Sequence, residues 1–358
     1  MVTLAEILRR HWPAYAALFG NKIPAAHRAA VAAILSCRTP ARGGQLYRCD
    51  CGQTQYAYHS CGHRACNQCG QGAAAAWTQR QQTKLLPVPY FLVTFTVPEQ
   101  LRRLIRTHQQ IFYGLLFAES AGALADVAAN PKHLGAALGF LGVLHTWTRQ
   151  LEYHPHIHYL VPGGGLSPDG LRWMDVRNPE FFVPQAVLAA RFRNRLRQRL
   201  QAEHPDLLRQ IPARVGKMSW VVDVQPAGRG ATALNYLAAY IYKTALSSSR
   251  LLACDDRIVT FQYRDRASAQ NKVCRLSGQE FLRRFLQHVL PRSFQRVRTF
   301  GWLSAAATVR FRRVQALLDW KSPPLQLTVA PPPLLCPCCQ KPMRLVGTLP
   351  RSPPIRGP

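Results

Sequence analysis

The period of hydrophobic positions changes several times along the chain. In "PYFLVTFTVP" the alternation is strict: Phe91, Val93, Phe95 and Val97 fall on one face, Leu92, Thr94 and Thr96 on the other, between Pro89 and Pro98. A period of two predicts a half-buried strand. "GFLGVLHTW" and "HPHIHYLVPGGG" predict two more strands, separated by a few residues as in a hairpin. "SWVVDVQP" and "RIVTFQYRD" add two others. Elsewhere the period is helical. Over 184–203, Leu188, Phe192, Leu196 and Leu200 form an i, i+4 stripe. "TALNYLAAYIYKTAL" predicts a helix with Thr232 as its N-cap. "SGQEFLRRFLQHVLP" predicts another, with Ser277 and Glu280 in capping-box spacing. Further helices are predicted within 1–46 and over 73–86, 99–118 and 131–139. Residues 322–333 are proline-rich and read as a linker. The expected fold class is α+β, with an antiparallel sheet at the centre and helices on one face.

Charge narrows the class of partner. The 358 residues carry 46 Lys+Arg against 17 Asp+Glu, a net charge of +29. Solubility alone needs a net charge of only about 2–8. The surplus, most of it arginine, predicts a polyanionic partner, most simply DNA. Arg191, Arg193, Arg195, Arg197 and Arg199 sit on one predicted helix. Arg283, Arg284, Arg292, Arg296 and Arg298 belong to a second block that runs to Arg313. No stretch of 18 consecutive apolar residues occurs, so no membrane span is expected, and the first residues lack a signal-peptide pattern. A cytoplasmic protein is predicted.

In a reducing compartment, 11 cysteines read as metal ligands rather than disulfides. In "CDCGQTQYAYHSCGHRACNQCG", Cys66-x-x-Cys69 has the spacing of a metal knuckle, and Cys49, Cys51 and Cys61 lie upstream. Sulfur-rich tetrahedral coordination predicts structural zinc. Five cysteines exceed four positions, so the expected set is Cys49 or Cys51 with Cys61, Cys66 and Cys69, and His59 and His63 in reserve. Arg64, in the loop, is a candidate DNA contact. The tail "CPCC" (Cys336, Cys338, Cys339) looks like half a zinc ribbon lacking its partner pair.

The strand "HPHIHYLV" puts His154, His156 and His158 on one face and Ile157, Tyr159 and Val161 on the other, toward a core. His-Ile-His suits bidentate capture of a metal ion. The helix "NYLAAYIYK" places Tyr236 and Tyr240 on one face at i, i+4, with Lys243 one turn beyond Tyr240 and Tyr242 facing away. Tyrosine can be a nucleophile. A histidine-held metal can polarise a phosphoryl oxygen. In a chain of charge +29 these parts suit covalent opening of a DNA phosphodiester.

In this order, "FLVTFTVP", "HPHIHYLVPGGG" and "YLAAYIYK" resemble the three motifs of HUH endonucleases. More narrowly, the chain resembles the two-tyrosine rolling-circle insertion-sequence transposases with an N-terminal transposase zinc-binding domain. "SCGHRACNQC", "GVLHTWTRQLEYHPHIHYLVPGGG" and "EFLRRFLQHVLPRSFQRVRTFGWL" resemble segments of that family, over roughly 10–320. Two departures stand out. Ala239 and Lys243 replace the arginines usual in the tyrosine helix, and Cys49-x-Cys51 is tighter than the usual Cys-x-x-Cys.

The resemblance implies an HUH palm with a central antiparallel sheet and flanking helices, plus a small zinc-binding module. It implies Mg²⁺ or Mn²⁺ on His156, His158 and a third histidine. His145 stands eleven residues before His156, where related relaxases recruit that ligand. His154 is the rival, but ligands four apart on one strand span ~13 Å. It further implies attack by Tyr240 or Tyr236 to give a 5′-phosphotyrosine on single-stranded DNA. Lys243, one turn beyond Tyr240, would lower that tyrosine's pKa, so Tyr240 is the expected first nucleophile. "VGKMS" lacks Walker spacing, so unwinding would fall to a host helicase. The expected site of action is the bacterial cytoplasm, in association with the nucleoid. The expected DNA contacts are Arg64, Arg191, Arg195, Arg199, Arg283, Arg284, Arg296 and Arg298. The expected domains are a helical and zinc-binding DNA-recognition part over 1–85, a catalytic part over 86–250, a basic part over 251–321 and a tail over 322–358. Two other readings share much of this pattern: an HUH replication initiator or relaxase, and a zinc-dependent DNA-binding protein without catalysis.

Overall fold

The computed structural model describes residues 2–69, 71–242, 246–265, 268–325 and 333–351; the side chains of 71–73, 239, 240 and 242 are not described. The chain forms two compact units, each assembled from separate segments: 1–76, 242–289 and 326–358 in one, 77–241 and 290–325 in the other. The class is α+β, as the periodicities predict.

In the second unit, five strands among the described residues form one antiparallel sheet. Their order is Val297–Gly301, Gly139–Trp147, Tyr153–Pro162, Tyr90–Thr96, Val221–Pro226. The histidine strand is therefore central. Its apolar face carries Ile157, Tyr159 and Val161, all buried with Phe91, Val93 and Phe95 from the neighbouring strand. The helices Gln109–Ala129 and Gln185–Glu203 cover that face. Phe192 packs edge-on to Phe95, and Ser120 shares a 2.7 Å hydrogen bond with the Tyr159 hydroxyl. Gly142 makes room for this arrangement, because a Cβ there would lie 2.5 Å from the Tyr159 ring. The leucine stripe of the second helix (Leu188, Phe192, Leu196, Leu200) is buried. Gln109–Ala129 is long and apolar enough to cross a membrane by composition alone, but 67% of its apolar window is buried inside the protein.

The tyrosine helix, Ala231–Tyr242, covers the opposite face of the sheet. Helices thus lie on both faces, where one was expected. Leu234 and Leu237 are buried, and Leu234 shares a cavity wall with Leu141 and Leu160, which point away from the Tyr159 side. An amphipathic helix needs an apolar surface, and these leucines provide it on the histidine face. The helix expected over 131–139 is instead a turn. Asn130 Oδ1 accepts from the Lys132 N–H, and Gly135 takes φ +70° before the strand begins at Gly139. Val297–Gly301, in the basic block, is an edge strand paired to Gly139–Val143.

In the first unit, helix Leu4–Phe19 is closed by a Thr3–Glu6 capping box and packs on Gly278–Leu286, whose N-cap is Ser277. Ile258–Arg264 is the middle strand of one three-stranded sheet. A second sheet joins Gly44–Arg48 to Thr54–Tyr58 on one side and to the distant Arg344–Leu349 on the other.

Candidate active site and metal centres

Antiparallel pairing sets His145 directly opposite His156, and Val143 opposite His158. His156 and His158, two apart, share a face with His145. One ligand nitrogen from each of the three lies within 4.8 Å of the others. His154 is on the same strand face but outside this group; its ring centroid is 5.0 Å from that of His156.

The proton positions follow from the partners. His156 Nδ1 is 2.7 Å from the His154 carbonyl, which can only accept, so Nδ1 carries the proton and Nε2 presents a lone pair. His158 Nδ1 is 2.8 Å from Thr94 Oγ1 on the adjacent strand. With Nδ1–H donating to that oxygen, Nε2 faces the group. His158 Nε2 is buried and has no hydrogen-bond partner among the described residues. Burial, reinforced by the neighbouring histidines, holds His145 and His158 well below the ordinary imidazole range. Burial also brings His156 to about 4. Burial and the Arg102 charge bring His154 to about 4. Three neutral imidazoles, one with an orphaned buried nitrogen, fit a divalent cation.

The Tyr236 ring stands edge-on to His158, with centroids 5.8 Å apart. Tyr240 is on the same helix but its side chain is not described, and Lys243 lies outside the described residues. Thr94 and Arg102 were missed in the sequence. Thr94 could have been found from the strand motif, since a residue on the polar face of a neighbouring strand can reach a histidine. Arg102, on helix Glu99–Thr107, has a buried Nε with no hydrogen-bond partner among the described residues.

The expected DNA arginines are mostly engaged within the fold. Arg191 pairs with Asp126 at 2.6 Å. Arg195 meets Glu119 at 3.1 Å and Asp126 at 2.9 Å, and Arg199 lies near Glu119 and Glu203. The pairs with Glu119 and Asp126 join the two helices that cover the core, and Arg199–Glu203 lies within one helix. Arg283 and Arg284 pair with Glu280. Arg298 lies over Phe117 at 4.6 Å. Arg296 lies over Trp147 at 5.3 Å and donates to the Ile241 carbonyl at 3.1 Å. Arg64 is exposed in its loop. Composition counts charge but not where each partner lies.

Eight of the 11 cysteines form two groups of four. Cys61, Cys66 and Cys69 come together as expected, but their fourth member is Cys37 and neither Cys49 nor Cys51. Cys37 and Cys61 each lie 3.5 Å from Cys69, sulfur to sulfur. The Cys61 N–H donates to Cys37 Sγ, and the His63 N–H to Cys61 Sγ. The contact with Cys66 draws Cys61 down to about 5, and the same contact with burial pushes Cys66 far up. Four thiolates this close need a cation between them. A Zn–S length of about 2.3 Å implies sulfurs about 3.8 Å apart, so the group fits zinc. Cys37 was missed because it is separated from Cys61 by a whole hairpin. Cys49 and Cys51 form the second group with Cys336 and Cys339.

Known proteins match most of the chain. The family model described as "Transposase zinc-binding domain" matches residues 7–97, and that described as "Putative transposase" matches residues 139–310. A Sinorhizobium fredii protein named "Putative transposase y4qJ" is 38% identical over 319 residues, covering 84% of this chain and 80% of that protein. The transposase for insertion sequence element IS801 of Pseudomonas savastanoi pv. phaseolicola is 29% identical over 290 residues, covering 76% of this chain and 69% of that protein. No solved structure gives a significant match. With the zinc-binding domain and the transposase region matched in one chain, and a relative this similar along most of its length, the chain belongs to the IS91-type family of insertion-sequence transposases.

Proposed function

We propose that this transposase is an HUH single-strand DNA endonuclease and strand transferase that cuts element ends through a 5′-phosphotyrosine and moves them by a rolling-circle-like route. The observation that carries this reading is the convergence of His145, His156 and His158 beside the Tyr236 ring. These histidines would hold Mg²⁺ or Mn²⁺, which supplies Lewis-acid polarisation of a phosphoryl oxygen. Thr94 orients His158, and the His154 carbonyl orients His156. Arg102, whose charge acts on His154 and His156, would meet a phosphate near this group.

A tyrosine hydroxyl attacks the scissile phosphorus. The new O–P bond joins the tyrosine to the 5′-phosphate, and the bond to the 3′-oxygen breaks, releasing a 3′-OH. The bond energy is kept in the phosphotyrosine, so no ATP is required. The second tyrosine then repeats the step during resolution. The position of its ring supports Tyr236 as the first nucleophile, whereas the sequence spacing of Lys243 to Tyr240 points to Tyr240. Residues 1–85, including Arg64, would recognise DNA; 86–250 would carry the catalytic palm; 251–321 would add basic surface; 322–358 would form the tail. A host helicase would open the duplex, in the bacterial cytoplasm at the nucleoid.

The test is cleavage of a labelled single-stranded element end in Mg²⁺ or Mn²⁺, with products resolved on a denaturing gel. A metal-dependent covalent adduct that disappears in the Tyr236→Phe, Tyr240→Phe double variant is the expected result. Metal-dependent cleavage with no adduct would exclude the phosphotyrosine route. DNA binding without cleavage would favour a purely binding role.

A further inference from the structure

The zinc-binding family match ends at residue 97, yet Cys49 and Cys51 lie apart from the group containing Cys66. Their sulfurs face two others from the far end of the sequence. Cys49 Sγ is 3.4 Å from Cys339 Sγ, and Cys51 Sγ is 3.6 Å from Cys336 Sγ. All four fall within 4.8 Å of one another, and Cys336 and Cys49 are buried.

We infer that Cys49, Cys51, Cys336 and Cys339 form a second tetrathiolate metal site, a zinc ribbon made from two chain segments almost 300 residues apart that fastens the tail to the first hairpin. Several independent features build this site. Arg344–Leu349 pairs antiparallel with Gly44–Arg48, so the tail continues the sheet that carries Cys49. Gly43, at φ +66°, lets the tail pass: a Cβ there would lie 2.5 Å from the Leu349 carbonyl oxygen.

Both cysteine pairs occupy tight turns, one closed over four residues and the other over five. In the first, Gly52 N–H donates to the Cys49 carbonyl, and Gly52 follows the second cysteine at φ +86°. In the second, Gln340 N–H donates to the Cys336 carbonyl, and Gln340 follows the second cysteine at φ +57°. A left-handed residue just past each pair turns the chain so that both sulfurs face inward. A non-glycine residue in that conformation at 340 needs something to hold it. Met343, Tyr47 and Leu334 form a small apolar shell around the sulfurs. Four sulfurs at this separation match the tetrahedral thiolate geometry of zinc, with sulfurs about 3.8 Å apart. Cys338, between the tail pair, is exposed and outside the group. The tail is thus not half a ribbon: its partner pair is at the other end of the sequence.

The experiment uses the full chain, purified in reductant. Zinc per chain is measured by inductively coupled plasma mass spectrometry. Two equivalents are expected in the parent protein and in Cys338→Ser, and one in the Cys336→Ser, Cys339→Ser double variant. One equivalent in the parent, or two retained in the double variant, would overturn the inference. To keep the test independent of how the double variant folds, alkylation is followed on the parent protein by peptide mapping. Cys338 should react at once. Cys49, Cys51, Cys336 and Cys339 should stay protected together and become reactive together on chelation. Tail cysteines that react as fast as Cys338 while Cys49 and Cys51 stay protected would also overturn it. So would protection that survives chelation and is lost only to a stronger reductant, which would identify disulfides instead.

Discussion

Thr94 Oγ1 stands 2.8 Å from His158 Nδ1, across the pairing of the Tyr90–Thr96 strand with the histidine strand. The two residues face each other in register, so the contact is set by the sheet itself. An oriented imidazole is a better ligand, and loss of such a partner typically weakens metal binding about 10–100-fold. Thr94→Val keeps the β-branched shape that suits a strand. We expect it to raise the Mn²⁺ dissociation constant by about that factor, read by isothermal titration calorimetry, with little change in thermal midpoint. An unchanged affinity would mean that Thr94 does not position this ligand.

His145 is linked to His156 by strand pairing rather than by sequence adjacency. His145→Ala, His156→Ala and His158→Ala should each remove cleavage while single-stranded DNA binding, followed by fluorescence anisotropy, is largely kept. If the His154→Ala protein loses cleavage and His145→Ala does not, the ligand set proposed here is incorrect.

Tyr236→Phe should remove most first-strand adduct, because its ring is the one beside His158. Tyr240→Phe should leave a first nick but block complete strand transfer. The reverse ranking, in a time course of adduct formation, would make Tyr240 the first nucleophile.

Arg195 meets the buried Glu119 and also Asp126. Removing one partner of a buried pair costs about 3–5 kcal/mol. Arg195 keeps part of its side chain in water, so we expect about 1–3 kcal/mol for Arg195→Ala, measured by urea denaturation. Its DNA affinity should keep the parent salt dependence. Arg64→Ala should instead give a log–log salt slope shallower by about 0.7, the value for one phosphate contact on a single strand. A shallower slope for Arg195→Ala would restore that residue to the DNA face.

Metal removal should separate the two chemistries. A brief exposure to EDTA should stop cleavage, since a hard divalent cation exchanges readily, and added Mn²⁺ should restore it. Zinc held by Cys37, Cys61, Cys66 and Cys69 should remain bound under the same treatment, as elemental analysis after desalting would show.

Local periodicity carried much of the architecture. The alternation in "PYFLVTFTVP", the apolar run "GFLGVLHTW" and the histidine run "HPHIHYLVP" mark the three middle strands of the sheet, and the leucine stripe over 188–200 marks a core helix. Each signal lies within ten or twenty residues, and each was legible because side-chain direction repeats at a fixed period. The five-stranded order, the tyrosine helix on the histidine face and the role of Thr94 needed the fold, because they depend on which strand lies beside which. The arginines show the limit most sharply: Arg191, Arg195 and Arg199 read as a DNA stripe, but Asp126 and Glu119 on another helix receive them. The cysteines show it too. Spacing alone could not separate Cys49 and Cys51 from Cys61, since their partners Cys336 and Cys339 arrive only through the pairing of Gly44 with Leu349. The sequence by itself determined the periods, the charge and the kinds of ligand; long-range strand pairing and helix packing decided which of them meet, because those contacts form between segments whose separation along the chain leaves no local trace.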